Sequence, residues 1–308
     1  MFPSLARPAR PIGIDLGAAR LTAVAAGADG RSVEALVELP RIHRAEDIAL
    51  EIPRLVRVLA RRGFRDAPVV VALPDADTLV AELSLPAVAD RATLEAIVAA
   101  QLGRMKQADP ATLACGWWST DAGPGGSARR SLAAAVPASR AEAIVLAFEE
   151  AGLVVEAIDL RPLAVARACR RSFGGGLEIV VDRSAERPTV IVLERGAVTY
   201  VRPLAPRTVV AASPGDGAGF SVEAFLAELR LTLGYLVHRH PQEAISRLRL
   251  VGSDSDMAIL PPAIKQSLDI EAEAIRVDAL AEVVGGIGPV GSAPVVAYGL
   301  ALRGREAA

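Results

Sequence analysis

Lysine is nearly absent from this 308-residue chain: among 34 lysines and arginines, only Lys106 and Lys265 are lysines. Neither follows a glycine, so the phosphate loop G-x-x-x-x-G-K-[ST] cannot be written anywhere in it. Cysteine is as scarce. Cys115 and Cys169 are too few and too far apart for a disulfide framework or a zinc ribbon, and they read as buried thiols of a reducing compartment. With three histidines, neither a Ser-His-Asp nor a Cys-His arrangement can be argued. Charge of one sign is lacking too. Against 34 basic residues stand 36 acidic ones, a net charge of -2, so no overall basic field draws nucleic acid or an anionic membrane.

Aromatic residues make up 4% of the chain, yet 52% is hydrophobic, which with so little net charge excludes disorder. The length fits one large bilobed unit or two domains. The start, MFPSLARPARP, has no apolar run of signal-peptide length, so a cytoplasmic location is expected. Val283 to Leu302 is twenty uncharged residues, long enough to span a bilayer. Its glycines and prolines, Pro289 and Pro294 among them, predict a loop followed by a buried element instead.

The most informative pattern is an internal repeat. Pro11 to Leu16 (PIGIDL) is a strand ending in Asp15 and Gly17; Leu21 to Ala26 turns at Asp29-Gly30 into Ser32 to Leu39. The second copy opens at Leu177 (LEIVVD), crosses the polar turn Arg183 to Pro188, and continues as TVIVLERGAVTYVRPL, with Arg195-Gly196 at the hairpin. Both copies set an aspartate, Asp15 or Asp182, where the first strand meets its turn. Two equivalent lobes facing a cleft would bring these carboxylates together.

Between the copies, Asp47 to Arg62 reads as a helix with Ile48, Ile52, Leu55, Val56 and Leu59 inward and Gly63 as its stop. Strands are expected over Ala67 to Leu73 and Leu79 to Leu85. A second helix, entered at Asp90, follows with Leu94, Ile97, Val98, Leu102 and Met105. Two strand-like runs, Leu113 to Ser119 and Arg130 to Val136, flank the polar loop Asp121 to Ser127. Ser139 to Glu142 has the form of a capping box opening a helix that ends at Gly152. This order reads as an α+β subdomain inserted into the first lobe. After the second copy, SPGDGAG is a linker, and Ser221 caps a helix with Phe220 and Phe225 as a hydrophobic staple. Its core face is Phe225, Leu226, Leu229, Leu233 and Leu236. Ile245 to Val251 is a strand stopped by Gly252, and Ala258 to Leu268 an amphipathic helix that closes the second lobe with the Gly-rich tail.

IGIDLG, VVVALPDADTLVAELSLP, AGLVVEAIDLRPLAVARA, TVIVLERGAVTYVRPL and FLAELRLTLGYL with LRLVGSDSDM, in this order and spacing, resemble the PilM family of actin-like type IV pilus assembly proteins. The cytoplasmic domain of GspL and the cell-division protein FtsA resemble the same pattern more distantly. The resemblance runs from about Ile12 to about Arg303. It implies an α/β fold of the actin, Hsp70 and sugar-kinase type: two lobes with a duplicated mixed β-sheet core. The first lobe covers 1–176 with an inserted subdomain at about 41–156, and the second covers 177–308. It further implies a cleft for ATP and Mg²⁺, with Asp15 beside the metal, and Asp15, Gly17, Asp182, Ser184, Gly252 and Ser253 in the nucleotide loops, Gly252 under the adenosine.

Several of those places depart from the family pattern. Ala18, Ala19 and Arg20 stand where hydroxyl residues are usual, Thr22 where relatives carry lysine, Asp182-Arg183-Ser184 for Asp-x-Gly, and Gly252-Ser253 for Gly-Gly. Three phosphate or nucleotide loops are degraded together, so the expectation is a scaffold without catalytic residues. The resemblance implies its partners: the short cytoplasmic segment of a PilN-like or GspL/GspM-like inner-membrane protein, an assembly ATPase, and further copies of itself. It would sit in the cytoplasm, held at the inner membrane by its partner. The competing expectation is an active ATPase or small-molecule kinase of the same fold.

Other motifs have plain readings. Gly286 to Gly291 spells G-x-G-x-x-G, but the prolines oppose the helix a dinucleotide site needs. His238 and His240 point to different helix faces and do not share a metal. Trp117 and Trp118 alternate across a strand, so one ring is core and the other an exposed partner contact.

Overall fold

The computed structural model describes residues 10–17, 19–43, 45–65, 67–74, 77–86, 90–120, 128–170, 172–173, 176–184, 187–204, 221–243, 245, 247–284, 287–288 and 290–303. Ala18, the loop Asp121 to Ser127, the linker SPGDGAG, Phe220, Gly286 and Pro289 lie outside them, and with Phe220 so does the expected staple.

The first repeat forms β1 (Ile12–Leu16), β2 (Arg20–Ala26) and β3 (Ser32–Pro40). A 3-10 turn, Ala45–Glu51, leads into α1 (Ile52–Arg61), which buries Ile52, Leu55, Val56 and Leu59. β4 (Val69–Ala72) then runs parallel to β1. A separate three-stranded sheet follows in the chain, from β5 (Leu79–Pro86), β6 (Leu113–Ser119) and β7 (Ala128–Pro137), in the order β5-β7-β6. Between β5 and β6 runs α2 (Arg91–Lys106), capped by Asp90, whose carboxylate accepts from the Thr93 amide. Its core contacts are Val98 and Leu102, while Met105 is exposed. The chain returns through α3 (Ala138–Glu150) to β8 (Val155–Asp159), parallel to β4, and then α4 (Arg161–Cys169).

The second repeat is β9 (Leu177–Asp182), β10 (Thr189–Glu194) and β11 (Ala197–Pro203). Ser221 caps α5 (Val222–Arg239), and β12 (Arg247–Val251), α6 (Asp254–Leu268) and β13 (Glu271–Ala274) complete the sheet. Its order, β11-β10-β9-β12-β13, repeats β3-β2-β1-β4-β8 of the first sheet with the same strand directions. Alternation within strands sorts the core into layers. Val69 and Val71 face α1 and α3, whereas Val70 and Ala72 face α4. Val180 and Ile191 point to that same central layer, and Ile179, Val181 and Val190 to α5 and α6. The two lobes read from the repeat, each with the same sheet order, are present.

Three expectations need correction. Ser139 does not cap α3: the helix starts at Ala138 after Pro137 without a side-chain cap, because Pro137 already supplies an extended entry, and Arg140 instead binds the Asp77 carboxylate at 2.8 Å. α6 begins four residues earlier than expected. Ser253 and Asp256 form a reciprocal capping box there, and Pro261 and Pro262 lie within the helix. The Gly-rich tail does not close the second lobe. After α7 (Val277–Leu280), β14 (Glu282–Val283) pairs with the edge of β3, and α8 (Val295–Ala301), wholly buried, packs on β1 and α4. Glycine makes that approach possible: a Cβ on Gly13 would lie 2.0 Å from the Ala297 carbonyl oxygen, and one on Gly299 1.9 Å from that of Ala164.

Cys169 is buried in α4, where burial pushes its thiol up to about 12, while Cys115 is only half-buried. Maleimide labelling of the native chain at pH 8 should therefore modify Cys115 and spare Cys169 until denaturant is added. Equal labelling of both thiols under native conditions would contradict this packing.

Candidate functional site

The two repeats carry the same local device. Asp15, at the end of β1, stands opposite Thr22 on β2, and Asp182, at the end of β9, opposite Thr189 on β10. Asp15 is 4% exposed and Asp182 1%. The fold brings both to the junction of the lobes, and between them lies the guanidinium of Arg161. Its Nη1 donates to Asp15 Oδ1, and its Nη2 donates to Asp182 Oδ2 at 3.1 Å and to Ser184 Oγ at 2.6 Å. Burial pushes the Asp15 carboxyl above its ordinary value; the Arg161 charge and hydrogen bond pull it back, and the Asp182 charge adds a smaller upward push. An arginine held here keeps two buried carboxylates from being uncompensated.

Arg161 was not among the sequence candidates. A signal existed: it is the first residue of α4, ahead of Pro162, where a cation opposes the helix dipole and needs a local anion to hold it.

Each of the three turns makes hydrogen bonds within its own chain. Gly17 follows β1, and its carbonyl accepts from Arg41 Nη1 at 3.3 Å. In the second turn, Asp182 Oδ1 accepts from the Ser184 amide at 2.9 Å and from its hydroxyl at 2.6 Å, so the aspartate caps its own turn. The Gly252 amide donates to Ser292 Oγ at 3.1 Å. A Cβ on Gly252 would sit 3.0 Å from the Arg183 Cβ and from the Asp256 carboxylate. Arg183 reaches across this shelf to Asp256 Oδ1, at 3.2 Å from Nη2. Ser253 is spent on capping: its hydroxyl donates to Asp256 Oδ2 at 2.7 Å and accepts from the Asp256 amide at 3.2 Å. Beside it opens a pocket of about 390 Å³, lined by Arg183, Val222, Ser253, Asp256, Ile259 and Leu260 among others. Among the described residues, no group of three or more His, Cys, Asp or Glu side chains is placed to hold a metal. Mg²⁺ would find Asp15 and Asp182 already joined by a cation.

The remaining candidates are placed elsewhere. Trp117 packs into the core of the inserted sheet. Trp118, expected as an exposed contact if its neighbour was core, is half-buried as well, and its Nε1 donates to the Val198 carbonyl on β11 at 3.1 Å. A second tie joins the same parts: Arg239 of α5 binds Glu82 of β5 at 2.7 and 3.2 Å, with its guanidinium over the Tyr200 ring. His240 lies 3.4 Å from Glu194.

Comparison with solved structures agrees with this architecture. A structure of the PilM-PilN type IV pilus biogenesis complex superposes with a TM-score of 0.73 at 20% identity, covering 97% of this chain and all of that one. The ethanolamine utilization protein EutJ of Carboxydothermus hydrogenoformans gives 0.55 at 17% identity, covering 96% of this chain and 90% of that one. The cytoplasmic domain of EpsL, an inner-membrane component of the Vibrio cholerae type II secretion system, gives 0.50 at 13% identity, covering 79% and 82%. No protein-family model and no curated protein matches the sequence. The chain has the actin-like two-lobed fold. That fold is similar to the one in the PilM-PilN complex.

Proposed function

We propose that this chain is a non-enzymatic actin-like scaffold of a type IV pilus or type II secretion assembly platform. It docks the short cytoplasmic segment of a PilN-like inner-membrane protein and does no chemistry on ATP. The observation that carries the reading is the end-to-end likeness to the protein of the PilM-PilN complex, joined to a cleft whose acidic turns are bridged by Arg161. The EpsL likeness points to the same class of assembly. Among the described residues no helix is long and apolar enough to cross a membrane, which suits attachment through a partner. Further copies and an assembly ATPase would join through the same platform.

Calorimetric titration tests this, using a peptide of the cytoplasmic N-terminus of the membrane protein encoded beside this chain. The expected result is one peptide per chain with a dissociation constant of about 10 μM or tighter, as for other peptide-in-groove contacts. No heat at tenfold higher concentration would overturn the docking role.

A further inference from the structure

The actin-like fold implies a dissociable cation and nucleotide between the two acidic turns, and the side chains here are arranged differently. The Arg161 guanidinium is 3% exposed. Its acceptors come from both lobes: Asp15 from the end of β1, Asp182 and Ser184 from the end of β9. Ser184 closes the set, because its hydroxyl accepts from Arg161 while donating to Asp182. A planar fork with separate donor nitrogens suits two carboxylates approaching from two sides, which neither a lysine nor a spherical ion reproduces. The backbone that carries it cannot leave. α4 is locked in the central layer against α8 through the Gly299 and Ala164 contact, so the cation stays at a high effective concentration.

We propose that Arg161 is the resident cation of the cleft. It is an intramolecular guanidinium ligand that cross-links the ends of β1 and β9 and holds the lobes closed without metal or nucleotide. An incoming Mg²⁺ would have to displace a buried charge of its own sign. The cleft is thereby a guanidinium site that its own chain fills. This inference does not rest on the docking role, and a failed peptide titration leaves it untouched.

The test uses the full chain and two readouts, thermal denaturation and hydrogen exchange of peptides covering the β1–β2 and β9–β10 turns. For the parent, millimolar Mg·ATP should leave the melting temperature unchanged. Arg161→Gly should melt lower and exchange faster at both turns. Guanidinium ion at about 10 mM should restore part of both losses in that variant and none in the parent. Arg161→Lys, which keeps the charge and loses the fork, should fall between. Should Arg161→Gly fail to fold, the pair Arg161→Gln with Asp182→Asn decides: the double variant should lose less than the sum of the singles, by more than about tenfold in the unfolding equilibrium. Stabilisation of the parent by Mg·ATP would overturn the proposal. So would unchanged exchange at both turns in Arg161→Gly, or strictly additive losses in the pair.

Discussion

Gly299→Ala should unfold this protein at temperatures where the parent is native, with a loss of about 3 kcal/mol or more in urea denaturation. The added Cβ would stand 1.9 Å from the carbonyl oxygen of Ala164 and 2.5 Å from its carbon, both backbone atoms that no rotamer change can move aside. Either α8 or α4 must then shift, and both sit in the central layer that joins the sheets. The internal control is Gly234→Ala in α5. There a Cβ meets nothing within 4 Å, and removing a mid-helix glycine should stabilise by roughly 0.5–1 kcal/mol. If the two alanines behaved alike, the close helix contact would be wrong.

The second large effect is expected at Glu51, which reaches the first acidic turn through Arg41. Its side chain is fully buried and accepts from the Ile42 amide at 3.1 Å, the His43 amide at 3.1 Å and Arg41 Nε at 3.4 Å. Arg41 is 5% exposed and also holds the Gly17 carbonyl, so this carboxylate anchors the segment behind the first turn. Glu51→Ala removes a carboxylate that a buried guanidinium and two amides share, at about 3–5 kcal/mol. Glu51→Gln keeps one acceptor oxygen and should lose less. A Glu51→Ala protein with the parent's chemical-denaturation midpoint would refute this account.

Most of the fold was legible because its signals are local. Strand alternation, the Asp29-Gly30 and Arg195-Gly196 hairpins, and the Asp90 and Ser221 caps depend on residues a few positions apart. Where expectation failed, a local pattern had more than one use. Ser139 to Glu142 spells a capping box, but the helix starts at Ala138, two residues before the start that box predicts, so Ser139 lies inside it. The Gly-rich tail lacks a periodic face because all of α8 is buried, and a helix buried all round offers no amphipathic stripe to read.

By itself the sequence determined the duplication and put one aspartate at the end of each leading strand, since both follow from short-range backbone preferences. Set beside the family it resembles, the sequence also departs from the hydroxyls and glycines expected in those turns. Only the tertiary structure decided what stands between the acids. Arg161 lies 146 residues from Asp15 and 21 from Asp182, and nothing in local propensity couples such positions. The guanidinium reaches both because α4 is packed between two sheets that the chain assembles separately, and in that layer a buried carboxylate must have a cation within reach.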